Sequence, residues 1–135
     1  METYRVIIAG SRDFNDYALL KEQCEHILQD KMRTHQVVIV SGGAKGADQL
    51  GERFAAEHNL AVESHPADWQ THGRAAGPIR NREMALCSQA LIAFWDGKSP
   101  GTDSMIRLAR KEGLDIVIVA TRQTQEESLP LFRRR

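Results

Sequence analysis

The chain has 135 residues, enough for one hydrophobic core and too few for two. Its 18 basic and 18 acidic residues cancel, which excludes the global positive field behind sequence-independent binding to nucleic acid or anionic membrane. No apolar run approaches the roughly 20 residues that span a bilayer, and the opening METYRVIIAG lacks the length and basic lead of a secretory signal, so the expectation is a cytoplasmic protein off the membrane.

In chain order, short β-branched runs alternate with helical spacing. Tyr4 to Ala9 reads as the first strand. A helix follows from near Asp16, a candidate N-cap, with Leu20, Cys24, Ile27 and Leu28 on one face. Val37 to Val40 is the second strand, and Ala47, Leu50, Gly51, Phe54 and Ala55 mark the next helix. Leu60 to Glu63 is the third strand. The stretch from His65 to Pro78 shows no periodicity, and a connection that long in a small domain points to function. A short helix is expected from Ile79 to Cys87, a strand from Ala90 to Trp95, and a helix from Thr102 to Glu112, with Thr102 as N-cap and Gly113 as the stop. Ile116 to Ala120 is the fifth strand. Near-continuous apolar runs such as VVIV and IVIVA suit strands covered on both faces. The fold class expected is therefore α/β, a Rossmann-like doubly wound, mainly parallel five-stranded sheet with helices on both faces. Residues 1–121 form the domain and 122–135 a tail. Cys24 and Cys87 are far apart, without a CxxC spacing or a His-rich neighbourhood, which predicts buried thiols and neither a disulfide nor a zinc site.

The unusual residues cluster after strands: Gly10, Ser11 and Arg12 after the first, Ser41 to Asp48 after the second, Asp96 to Asp103 after the fourth. Ligands of open parallel sheets bind outside the carboxyl ends of the strands, where strand order reverses. Ser41, Gly42, Gly43, Lys45, Gly46 and Asp48 belong to a glycine-rich turn that opens a helix, a combination that brings free N–H groups to a phosphate. It matches neither GxGxxG nor the Walker pattern, so neither of those cofactor modes is supported. Asp48 either receives a ribose hydroxyl or caps the helix. Gly101 and Thr102 open another helix in the same way. Arg80, with Asn81 beside it, is the expected phosphate or carboxylate clamp, because a guanidinium matches both bidentately. Trp69 and Trp95 are candidate stacking partners for a base or core residues, Trp95 being the better placed.

Four motifs in order, GSRDF at 10–14, SGGAKGAD at 41–48, ADWQTHGRAAGPIRNREM at 67–84 and WDGKSPGTDSMI at 95–106, resemble the SLOG superfamily, in particular its YspA/YpsA-like branch (DUF2493). The likeness spans about residues 4–120. It implies a fold related to the LOG phosphoribohydrolases and to the DNA-processing protein DprA, and a ligand that is a nucleotide or derived from one, such as NAD or ADP-ribose. By the same resemblance, Arg80 and Met84 match the arginine motif of the LOG proteins, and Gly101-Thr102 the GT of their PGGxGTxxE signature. The glutamate of that signature falls at Met105, where a thioether cannot stabilise the oxocarbenium-like state of glycosidic cleavage. Asp13, Asp48 and Asp103 are the carboxylates available to replace it. A binding module, as sensor or effector, is thus the leading expectation, with an N-glycosidase and a DprA-like single-stranded DNA binder as alternatives; neutral charge makes nucleic acid the less expected partner. No cofactor is expected. A homodimer or higher homo-oligomer is expected from apolar residues that need cover: Met84, Cys87, Leu129, Leu131 and Phe132.

Overall fold

The computed structural model describes residues 1–121; the tail, and with it Leu129, Leu131 and Phe132, lies outside the described residues. Five strands, β1 (Thr3–Gly10), β2 (Gln36–Ser41), β3 (Ala61–Ser64), β4 (Ala90–Trp95) and β5 (Asp115–Ala120), form one sheet in the order β3-β2-β1-β4-β5. Every pairing is parallel. The helices are α1 (Tyr17–Thr34), α2 (Ala47–Glu57), α3 (Trp69–His72), α4 (Ala76–Cys87) and α5 (Pro100–Lys111), with a 3₁₀ turn over Gly73–Ala75. None of them is long and apolar enough to cross a membrane.

The two cores follow from the alternation of side chains along the strands. Tyr4, Val6 and Ile8 of β1 point with Val37, Ile39, Ile92 and Phe94 into a core closed by α1 and α2. Ile7 and Ala9 point the other way, with Val40, Leu91 and Ala93, into a core closed by α4 and α5. Both faces of the central strands are covered, which is why they read as unbroken apolar runs. The chain winds outward from β1 through β2 to β3 on one side, then returns to β4 and β5 on the other, so strand order reverses beside β1.

Local signals set most boundaries. Asp16 caps α1 by accepting from the Leu19 N–H at 3.0 Å, and Gly113, at φ 75°, ends the turn after α5. Helix α5 begins earlier than expected: Ser99 is its N-cap, Pro100 takes the first position, and Thr102 lies inside the helix. Proline suits that place because its missing N–H would have had no helical partner. Helix α4 likewise starts at Ala76 rather than Ile79, and the aperiodic stretch before it holds α3, capped by Asp68 through the Thr71 N–H at 3.1 Å. Met84 is buried at 3% exposure, so it does not seek cover from a partner. Cys24 is fully buried, as expected. Cys87 is not: it is half-buried at the end of α4.

Candidate functional site

A cavity of about 680 Å³ opens at the carboxyl ends of β1 and β4, at the reversal point. Gly10, Ser11, Arg12 and Asp13 line it from the end of β1, and Ala44 and Asp48 from the entry to α2. Gly77, Pro78, Arg80 and Asn81 line it from the start of α4, and Pro100, Gly101 and Thr102 from the start of α5. Three helices thus direct their amino-terminal ends, with the positive ends of their dipoles, at one volume. Met84 and Met105 form the apolar part of the wall, and Trp69, 52% exposed, stands at it from α3.

Eight of the thirteen expected residues line this cavity: Gly10, Ser11, Arg12, Asp48, Arg80, Asn81, Gly101 and Thr102. Ser41, Gly42, Gly43, Lys45 and Gly46 do not; among them, Ser41, Gly42 and Gly46 shape the wall from behind. The buried Ser41 hydroxyl donates to Glu52 at 2.6 Å and accepts from the Gly43 N–H at 3.0 Å. The Gly42 carbonyl accepts from Arg80 Nη1 at 2.7 Å, and a Cβ at Gly42 would press on both Arg80 and Asp48. At Gly46 the backbone has φ 83° and packs against the Ser11 carbonyl, two reasons for glycine. Gly43 also has positive φ but faces open space, and Lys45 is exposed. The glycines of this turn therefore buttress Arg80, Asp48 and Ser11, while Ala44 and Asp48 carry the turn to the cavity surface.

Arg80 is held on two sides, by the Gly42 carbonyl and by Asn81 Oδ1, to which its Nε donates at 2.9 Å. Its neighbour Arg82 is exposed and does not line the cavity. Asp48 does not cap α2; its carboxylate accepts from the Ala44 N–H at 3.2 Å. Burial pushes this carboxyl up to about 6, against the opposing pull of the Ala44 N–H and the Arg80 cation. Of the other carboxylates, Asp96 is engaged by its own turn, accepting from the Lys98 and Ser99 N–H groups at 2.8 Å each, which lowers its pKa. Asp103 pairs with Arg107 at 3.0 Å and does not line the cavity. Both of the bonds to Asp96 fall on its Oδ1, so Asp13, Asp48 and Asp96 are the three acids that line the cavity.

The structure separates the two tryptophans. Trp95 turns its indole N–H to the Ser99 carbonyl at 3.1 Å, bracing the 96–99 turn, and packs on the core. Trp69 is the one at the cavity. Its position was hidden because α3 is a single short turn of helix, too brief to show periodicity.

The family model described as the YspA, cpYpsA-related SLOG family matches residues 4–72. The Gene 61 protein of Mycobacterium phage D29 is 36% identical over 121 residues, covering 84% of this chain and 94% of the phage protein. Among solved structures, DNA processing protein A (DprA) from Streptococcus pneumoniae superposes with a TM-score of 0.69 at 19% identity, over 95% of this chain and 54% of that one. The chain thus spans about half the length of that DprA. A structure of the Helicobacter pylori protein, described by its single-stranded DNA binding mode, gives 0.59 at 22% identity, over 95% of this chain and 72% of that one. The Moco carrier protein from Chlamydomonas reinhardtii gives 0.60 at 19% identity, over 99% and 86%. At such identities these structures establish the Rossmann-like fold. The sequence matches establish more: the chain belongs to the YspA, cpYpsA-related SLOG family.

Proposed function

We propose that the chain binds a phosphorylated, nucleotide-derived ligand, of NAD or ADP-ribose type, in the cavity at the ends of β1 and β4, as a sensor or effector. The observation that carries this reading is the convergence of three helix amino termini with Arg12 and Arg80 on one cavity. Arg80 takes a phosphate, Trp69 offers a ring face to a base, and Asp48 accepts from a ribose hydroxyl. Calorimetry with ADP-ribose, NAD, AMP and adenosine tests it. The phosphorylated compounds should bind and adenosine should bind far more weakly; no heat with any of them, together with no small molecule released from the denatured protein, would remove the reading.

A second reading, an N-glycosidase acting on nucleotides, is favoured by Asp48. Met105 lines the cavity at the position where the LOG signature has glutamate, and Asp48, a carboxyl with a raised pKa, lines the same cavity. Release of free base from nucleoside monophosphates or NAD, lost in Asp48→Asn, distinguishes turnover from binding. The DprA likeness keeps single-stranded DNA as an alternative in spite of the neutral overall charge. A salt-dependent mobility shift with an oligonucleotide would favour it. Self-association belongs to the same proposal, supported by exposed Trp69, Leu86, Val117 and Ile118 in place of Met84. Light scattering that gives 15.2 kDa across the micromolar range would rule it out.

A further inference from the structure

Away from the cavity, the fold brings Glu63, the third residue of β3, His65, just beyond that strand, and Cys87, the last residue of α4, into one half-buried cluster. His65 Nε2 lies 2.9 Å from Glu63 Oε2. The Cys87 sulfur lies 3.4 Å from the same oxygen and 3.8 Å from the same nitrogen. We propose that these three side chains are a binding site for a thiophilic divalent metal ion, zinc in the first place.

The distances are those of three corners of a coordination tetrahedron. Zinc bonds of about 2.0–2.1 Å to nitrogen, 2.0–2.2 Å to oxygen and 2.3 Å to sulfur give ligand-to-ligand edges of roughly 3.3–3.6 Å. The sulfur–oxygen edge of 3.4 Å falls within that range, the sulfur–nitrogen edge of 3.8 Å reaches it by closing about 0.2 Å and the Glu63–His65 edge of 2.9 Å by opening about 0.4 Å, both small side-chain rotations. One thiolate, one imidazole and one carboxylate suit zinc better than the harder calcium or magnesium, which take oxygen ligands. The charges also close, since Zn²⁺ against one carboxylate and one thiolate leaves a neutral centre. Binding requires the Cys87 thiol to release its proton to solvent as the sulfur–zinc bond forms.

The surroundings hold the ligands in place. Arg5 Nε donates to the second Glu63 oxygen at 2.9 Å, leaving Oε2 turned to the cluster, as outer partners do at metal sites. The His65 N–H donates to the Ser41 carbonyl at 2.8 Å, which fixes the backbone just past β3. Three protein ligands leave a fourth position for water or another donor. His65 and Cys87 are also the two ends of the segment that carries Trp69, Gly77, Pro78, Arg80, Asn81 and Met84 to the cavity. An ion between them clips that segment closed, which lowers the number of conformations it can explore.

The test uses the full chain and no nucleotide, so its outcome is independent of the ligand proposed for the cavity. Titration with Co²⁺ should give one equivalent bound, with a thiolate-to-cobalt charge-transfer absorption that Zn²⁺ displaces. Glu63→Gln and His65→Ala should each weaken binding at least tenfold, and Cys87→Ser should abolish the absorption. No absorption in the wild-type chain, or its persistence in Cys87→Ser, overturns the site. Should the variants fail to fold, the unaltered chain still decides. Cys24 is fully buried, so alkylation reports Cys87. Zn²⁺ should slow it at least tenfold and EDTA restore it; a rate indifferent to both overturns the proposal.

Discussion

The two faces of the sheet are built from the same strands and have diverged in what they hold. The face under α1 and α2 contains Phe14, Phe54 and Phe94, with Phe14 and Phe94 stacked at 5.2 Å and Phe54 on the His58 ring at 4.1 Å. The face under α4 and α5 has no fully buried aromatic among the described residues; Ile7, Val40, Leu91 and Ile106 fill it with alanines and the methionines Met84 and Met105, Trp95 packs at its edge, and its upper end opens into the cavity. Large rigid rings fill space completely, whereas methionine adapts to a gap. One face therefore anchors the fold, and the other leaves room for a ligand. Different substitutions should separate the two roles.

The largest effect is expected on the anchoring face. Phe54→Ala removes a fully buried ring and should cost about 3–5 kcal/mol in urea unfolding, with ligand affinity unchanged for the fraction that stays folded. A loss below about 1 kcal/mol would show that this face is not the better packed one. On the cavity face, Arg80→Ala should weaken phosphorylated ligands by about 1.5–3 kcal/mol, tenfold or more, while nucleosides change little. Equal losses for both, read by calorimetry, would take Arg80 off the phosphate.

Asp48→Asn sharpens the contrast through pH. The folded chain holds the Asp48 proton more tightly than the unfolded chain, with a pKa of about 6 against 3.8. The stability this contributes is fully present below 3.8 and is lost as pH rises through about 6. The variant should therefore be more stable than the wild type at pH 7, by on the order of 1–3 kcal/mol, and its denaturation midpoint should vary less between those pH values. A variant less stable at pH 7 would mean that the Asp48 carboxylate supports the fold rather than costing it. The smallest effect is expected at Gly43. Its Cβ would meet nothing, and its positive φ alone makes Gly43→Ala cost about 1 kcal/mol, with ligand affinity preserved. A tenfold loss of affinity there would restore the glycine turn as a direct phosphate cradle.

Particular residues show where reading the sequence stops. Asp16 as a cap, Gly113 as a stop and the five apolar runs were legible because each acts over a few residues, within one turn or one strand. Gly42 and Gly46 were legible as special but not in their role, since the atoms that demand glycine, Arg80 and the Ser11 carbonyl, lie far off along the chain. Trp69 was ranked below Trp95, and Cys87 was read as buried, for the same reason: a four-residue helix has no period, and the thiol's neighbours His65 and Glu63 are more than twenty residues away.

The sequence by itself determined the alternation of strands and helices, the family, and the carboxyl ends of the strands as the place where Arg80, Asp48, Gly101 and Thr102 meet. Periodicity, caps and strand-end motifs are local and survive in one dimension. Only the tertiary structure decided that Ser41, Gly42 and Gly46 stand behind the cavity while Ala44 lines it, that Trp69 and not Trp95 faces it, and that Glu63, His65 and Cys87 converge. Those facts depend on which way side chains point once α4 lies back across the sheet, and no spacing along the chain encodes that direction.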